Sequence, residues 1–293
     1  MRLLLLGRGG QLGWELHRTL STLGEVLALD YPEIDLRQPE GLRSLVHELR
    51  PQVIVNAAAY TAVDRAESEA QAAWSINAQA AGNLADAARQ EGAALVHYST
   101  DYVFDGTKGS PYQESDLPNP LNSYGRSKLA GEQAIQQAGG AYLILRTAWV
   151  YSLRQESFVS RVLQWARQST RLSIVDDQVS NPTWARTLAE ATAQVLALGA
   201  KDVAGWLRER GGLYHLAGDG WASRLEWAQA ILQTDPQQAE QVVREVLPAR
   251  SADFPSPAQR PLFSALDCRR FSETFNLRLP DWRLALRLAF DTA

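Results

Sequence analysis

The stretch Gly7-Arg8-Gly9-Gly10-Gln11-Leu12-Gly13 constrains the fold more than any other part of the chain. It follows four leucines at 3–6 and opens an amphipathic pattern over 11–23, so a strand passes through a glycine turn directly into a helix. Glycines at 7, 10 and 13 give a GxxGxxG spacing. That spacing supplies a tight turn, backbone bare of Cβ, and a close helix-to-strand contact at a helix N-terminus, where phosphates are held.

The alternation continues through the first half. Short apolar runs at 26–29, 53–55, 94–98 and 142–145 read as further strands, and 41–49, 70–90 and 123–137 read as helices, with Pro39 and Pro51 as punctuation. Strands alternating with helices, joined by right-handed crossovers, predict an α/β fold: a Rossmann-like doubly wound parallel sheet. After about Trp149 the pattern loosens. Helical stretches at 158–168, 183–198 and 225–233 are separated by apolar runs at 172–175 and 213–216, which predicts a smaller mixed α/β substrate domain. The expected division gives 1–148, with segments within 179–216, to the dinucleotide-binding domain, and 149–178 with 217–293 to the substrate domain. Four prolines within 247–261 predict an ordered loop or lid there.

Charge narrows the function classes. With 29 basic against 33 acidic residues and a net charge of −4, no global positive field draws the 293-residue chain to nucleic acid or an anionic membrane. The apolar start is too short for a signal peptide, and the single cysteine, Cys268, cannot form an intrachain disulfide, so the cytoplasm is the expected home. The four histidines, His17, His47, His97 and His215, show no metal-ligand spacing and read as structural.

Among the basic residues three are lysines: Lys108, Lys128 and Lys201. Lys128 lies four residues after Tyr124, at the start of a predicted helix, so both side chains share a face and the ammonium can lower the phenol's pKa. Nine tyrosines and three lysines in this chain give about 0.1 such pairs by chance. Upstream, Ser99, Thr100 and Asp101 fall at the end of the fourth predicted strand, where reactive groups gather in an open parallel sheet. Asp30 ends the second strand and can accept a hydrogen bond from an adenosine ribose 2′-OH, whereas Arg8 can neutralise a 2′-phosphate, so NADH and NADPH both stay open. Small residues Ala57, Ala58 and Ala59 follow the third strand, where the chain must pass close to a cofactor.

The glycine turn, the hydroxyl-bearing strand end and YxxxK together resemble the extended short-chain dehydrogenase/reductase family. The resemblance is closest to members that reduce nucleotide-linked keto sugars, and it runs through GRGGQLGWEL at 7–16, VNAAAYTAVDRAE at 55–67, HYSTDYVFDG at 97–106, NSYGRSKLAGE at 122–132, RTAWVY at 146–151, DQVSNPT at 177–183, LYHLAGDG at 213–220 and RP at 260–261. It implies hydride transfer from NADPH or NADH to C4 of a dTDP-linked keto sugar. Tyr124 is then the acid, Lys128 its tuning partner, and Thr100 the hydrogen-bond donor to the carbonyl oxygen.

By the same resemblance Asp101, Tyr102, Trp149 and Arg260 contact the substrate. Gly7, Arg8, Gly10, Gln11, Leu12, Gly13, Asp30, Asp35, Leu36 and Ala57 to Ala59 join Tyr124 and Lys128 around the cofactor. Some members of the family resemble metal-bridged dimers, which would place Mg²⁺ near Glu15, Glu190 and Asp291 and make the chain a homodimer. Other readings within the resemblance are a 4,6-dehydratase or epimerase, and a non-catalytic regulatory subunit like the methionine adenosyltransferase β subunit. Dehydratases carry an Asp-Glu pair after the catalytic threonine, where this chain has Asp101-Tyr102. A regulatory subunit has no need of Thr100, Tyr124 and Lys128 together.

Overall fold

The computed structural model describes residues 1–291. Five strands of its large sheet come from the first half: β1 (Arg2–Leu6), β2 (Glu25–Leu29), β3 (Val53–Asn56), β4 (Ala94–Thr100) and β5 (Ala141–Thr147). A sixth, Gly212–His215, is added from the second half. The order across the sheet is β2, β1, β3, β4, β5 and then the late strand, every pairing parallel. Crossovers run one way from β1 to β2 and the other way from β3 onward, so a crevice opens between β1 and β3 at the carboxyl ends of the strands.

The strands read as continuous apolar runs because helices cover both faces. On one face Leu3, Leu5, Val55, Val96 and Leu143 pack against helix α1 (Gln11–Leu20) and against Leu188, Val195 and Leu196 of the helix Ala185–Leu198. On the other, Leu4, Leu6, Ile54 and Leu95 meet α2 (Pro39–Leu49) and the alanine-rich helix Ala80–Glu91. The predicted helix over 70–90 is interrupted by a π-turn, Ser75–Gln79, where Asn77 turns its side chain inward to Tyr60 and Ser127. A functional hydrogen-bond cluster beside a π-bulge is a common pairing.

A second core joins Tyr151, Val159, Val162, Leu172, Trp227, Ile231, Trp282 and Leu286. It is built on the helices Phe158–Gln168, Arg224–Thr234 and Trp282–Asp291. Phe271, Phe275 and Leu279 instead return to the large-sheet core, so the chain passes between the two cores repeatedly. The proline-dense segment departs from the expected loop at its start: Glu245–Ala249 pairs in parallel with the strand Arg171–Val175. Pro248 is tolerated because this is a two-stranded edge. Helices Val203–Arg210 and Arg269–Phe275 lack a long apolar period and were not expected from the sequence. No helix among the described residues is long and apolar enough to cross a membrane.

Candidate active site

The glycine turn is locked from both sides. Gly7 sits at φ +86°, a conformation that favours glycine, and a Cβ there would stand 2.6 Å from the Ala58 nitrogen. A Cβ at Gly13 would stand 1.9 Å from the Gly7 carbonyl oxygen, so α1 can approach β1 only with glycine at that position. Gly10 caps α1 without a side-chain hydrogen bond, leaving the first N–H groups of the helix directed at the crevice. Gln11 accepts from the Ser152 nitrogen at 2.6 Å, and Gln155 donates to the Gly9 carbonyl. These two bonds tie the loop to the second half of the chain.

A cavity of about 500 Å³ fills the crevice, lined by Gly7, Gly10, Gln11, Leu12, Asp30, Ala57, Ala58, Ala59, Thr100, Asp101, Tyr124, Lys128 and Trp149 among others. The structure thus brings most of the expected cofactor residues to one place. A bare backbone, an uncapped helix start and a carboxylate at the end of β2 fit a dinucleotide. Asp30 accepts from the Gly9 nitrogen at 2.8 Å, while Arg8 pairs with Glu33 at 2.9 Å and donates to the Ala28 carbonyl. Asp35 and Leu36 stand apart from the cavity. Asp35 is gripped by Arg37 at 2.8 Å in its own turn, and Leu36 packs towards the α2 face of the sheet and lines a separate surface groove.

The helix Ser123–Ala138 presents the YxxxK pair. Asn122 caps it, accepting from the Gly125 nitrogen at 2.8 Å. Burial pushes the Tyr124 phenol above its ordinary value, and its hydrogen bond with Thr100 opposes that rise. Lys128 is buried and pushed down to about 8, chiefly by burial, with Glu132 opposing. Its Nζ donates to the Tyr98 carbonyl at 2.5 Å and lies 3.1 Å from His97 Nε2. In the protein alone the phenol is therefore not lowered as the spacing suggested: the lysine nitrogen is turned into the sheet. One turn on, Glu132 is held by Arg146 at 2.9 and 2.6 Å and by the Ser99 hydroxyl, all buried.

The family described as RmlD substrate binding domain matches residues 1–293. A curated dTDP-4-dehydrorhamnose reductase from Burkholderia thailandensis is 44% identical over 98% of this chain and 97% of its own length. The chain belongs to the RmlD family. Among solved structures, a dTDP-4-dehydrorhamnose reductase from Clostridium acetobutylicum superposes with a TM-score of 0.91 at 32% identity, covering 100% of this chain and 99% of its own. One from Bacillus anthracis, in complex with NADP, gives 0.88 at 33% identity, with the same two coverages of 100% and 99%.

In this RmlD-family chain Asp101 follows Thr100 into a buried pocket. Its carboxylate accepts from Ser264 at 2.5 Å, Ser180 at 3.1 Å and Thr100 at 3.1 Å, and burial raises it to about 6 against those donors. Trp149 holds φ +41°, strained for a bulky residue, and stacks on Trp227 with Arg224 3.6 Å above its ring. Tyr102 meets Tyr124 edge-on at 5.9 Å. Beyond it lies a second cavity of about 860 Å³, lined by Phe158, Trp165, Gln178, Arg224, Arg260 and the turn 254–259. Arg260 belongs to this second cavity, paired with Asp64 at 2.8 Å, and not to the glycine crevice.

Of the three expected metal ligands, Glu15 and Glu190 lie close enough to feel each other's charge around Arg186, but no third acid joins them among the described residues. Glu15 is raised by burial and opposed by the charges of Arg186, Arg18 and Arg154, while Glu190 is held by Arg186 at 2.9 Å. Asp291 ends the last helix, and among the described residues no cluster of three acids, histidines or cysteines could hold an ion. A metal-bridged contact here would need side chains from a second copy. Sequence reasoning missed Asn56, His97 and Arg224. Each reaches the site through cross-strand register or the second core, and none of the three leaves a local spacing signal.

Proposed function

We propose that this chain reduces the C4 ketone of dTDP-4-dehydro-L-rhamnose to dTDP-L-rhamnose with a nicotinamide cofactor. The observation that carries the reading is the convergence of Thr100, Tyr124, Lys128 and the glycine turn on one cavity, in a chain similar along its whole length to named reductases. When bound in the crevice, the reduced nicotinamide supplies the hydride that C4 receives. Thr100 hydrogen-bonds the ketone oxygen and Tyr124 gives that oxygen its proton, so a neutral alcohol forms. Lys128, pushed down to about 8, stays largely charged at neutral pH one helical turn below Tyr124, and that charge lowers the cost of the phenolate left after proton transfer while its proton remains easily exchanged.

The second cavity suits the thymidine diphosphate. Arg224 and Arg260 offer planar forks for phosphate oxygens, and Phe158 and Trp165 offer aromatic faces for a base. Trp149 lines the crevice and carries Arg224 of the second cavity over its ring, which supports a reading in which the sugar lies between Trp149 and Tyr124 and the smaller unit, 149–178 with much of 217–293, serves the substrate. Asp101 lines the crevice, and Tyr102 faces Arg224 and Arg260 of the second cavity, so both are proposed to contact the substrate. Cys268, half-buried with its thiol pushed up to about 12 by desolvation, is the one cysteine of the chain, and a lone free thiol fits a reducing cytoplasm.

Tyr124→Phe removes the proton donor and leaves the glycine turn intact. Turnover is expected to fall by about 10²- to 10⁴-fold with cofactor affinity retained, read by single-turnover absorbance and by fluorescence titration. Near-wild-type turnover would reject the role. For the cofactor, Asp30 recognises a free 2′-OH and Arg8, released from Glu33, meets a 2′-phosphate. Asp30→Ala is expected to lower kcat/KM for NADH about tenfold while NADPH is unaffected or improved; equal losses with both would refute this division of labour.

A further inference from the structure

A polar chain lies beneath Lys128 that the reduction by itself does not call for. Asn56, the last residue of β3, pairs in register with His97 of β4, so both side chains leave the same face of the sheet. That face is covered by the helix carrying Lys128. All three side chains are buried, at 1%, 1% and 2% exposure. Asn56 Nδ2 is 3.1 Å from His97 Nδ1, and His97 Nε2 is 3.1 Å from Lys128 Nζ.

The hydrogens in this chain follow from its far end. Asn56 Oδ1 accepts from the Ala58 N–H at 3.2 Å, which fixes the amide and aims its NH₂ at His97 Nδ1. Nδ1 must then offer a lone pair. Burial and the neighbouring lysine hold the His97 ring well below its ordinary pKa, so the ring is neutral and its one proton sits on Nε2. An Nε2–H facing Nζ needs an acceptor, and an amine nitrogen has a lone pair where an ammonium has none.

We propose that Asn56 and His97 are a positioning pair for the catalytic lysine, in which His97 Nε2–H donates to the amine form of Lys128. The ammonium form breaks a bond in either arrangement. With the proton left on Nε2, two donors face each other; with it moved to Nδ1, the Asn56 amide must turn over and the Ala58 N–H at the cofactor wall loses its acceptor. The pair thus makes the lysine's proton easy to give up close to neutral pH while Nζ stays anchored on the Tyr98 carbonyl. The other groups facing this site act around that balance. On the same helix are Glu132, which favours the ammonium, and Tyr124; Arg146 of β5 offsets Glu132; Asp101 shares the cavity; and the Tyr98 hydroxyl is directed to the opposite face, at Thr192.

The inference rests on Lys128 being the lysine of the proposed reduction, but its test does not depend on turnover. In full-length protein with ¹⁵N-labelled histidine, held at a pH above the titration of Lys128 so that the amine form prevails, long-range ¹H–¹⁵N correlation is expected to show the His97 ring with the proton on Nε2 and a bare Nδ1, assigned among four histidines by His97→Gln. A proton on Nδ1 in the wild type overturns the proposal, whether or not any variant folds. In ¹³C-lysine protein three side chains titrate, and that of Lys128 is expected near 8 in the wild type. His97→Leu should move it up by about one pH unit, the worth of one hydrogen bond. His97→Gln, which can accept from Asn56 and donate to Nζ, should restore it, and the basic limb of the kcat/KM profile should move with it. An unchanged titration in His97→Leu also overturns the proposal. An inactive wild type with the Nε2–H tautomer would reject the reductase reading and leave the positioning pair standing.

Discussion

Asp101 carries its carboxyl into a nest of three hydroxyls beside Thr100, and that burial gives the protein a pH signature. The folded carboxyl sits near 6 against an ordinary 3.8, so between those values the folded state holds a proton that the unfolded chain has lost. Stability contributed by this group is present at low pH and is lost as pH rises through about 6. Asp101→Asn removes the loss, and as much as about 3 kcal/mol of added stability is expected at pH 7, fading towards pH 4. Thermal melts across that range check it, with turnover expected to fall in the same variant. At this scale the sequence was informative where chemistry is local. Tyr124 and Lys128 share a helix face by spacing alone. His97 reads as structural in the sequence because its partners, Asn56 and Lys128, are 41 and 31 residues away and meet it only once β3, β4 and the helix are assembled.

The helix Ser123–Ala138 is the element on which the site depends. Its buried face carries Tyr124, Lys128 and Glu132 in successive turns, and Gly131 permits close packing, since a Cβ there would stand 2.2 Å from the Asn77 carbonyl oxygen. Glu132 and Arg146, 2% and 3% exposed, pin the helix to β5. Removing one partner leaves the other charge buried, so Glu132→Ala is expected to cost about 3–5 kcal/mol, read as a drop in the urea midpoint with an unchanged slope. The helix was legible from its period, as the stretch 123–137. The π-turn at Ser75–Gln79 was not, because its cause is tertiary: Asn77 is drawn inward to Tyr60 and Ser127. Nor was the strand Glu245–Ala249 legible, since a proline inside a polar run hides an edge pairing.

At the scale of the whole molecule the parallel sheet and its crevice follow from the first half of the sequence, and the second half supplies what closes them. The late strand Gly212–His215 covers the edge of β5, and Leu188, Val195, Leu196 and Phe271 roof one face of the sheet. Residues 1–148 alone are therefore expected to lack cooperative unfolding and a dispersed amide spectrum, because an apolar face and a strand edge are left bare. A well-folded fragment would show that the later segments are dispensable.

The repeated passage of the chain between its two cores has a further consequence. A sugar-recognising unit built from one continuous stretch could be exchanged between relatives by recombination at a single joint. Here Trp149, Arg224 and Arg260 reach the same region from three separate stretches, with sheet-core segments threaded between them. If these residues hold the substrate as proposed, new substrate preference in such a chain is expected to arise by substitution, residue by residue, within a scaffold that is inherited whole.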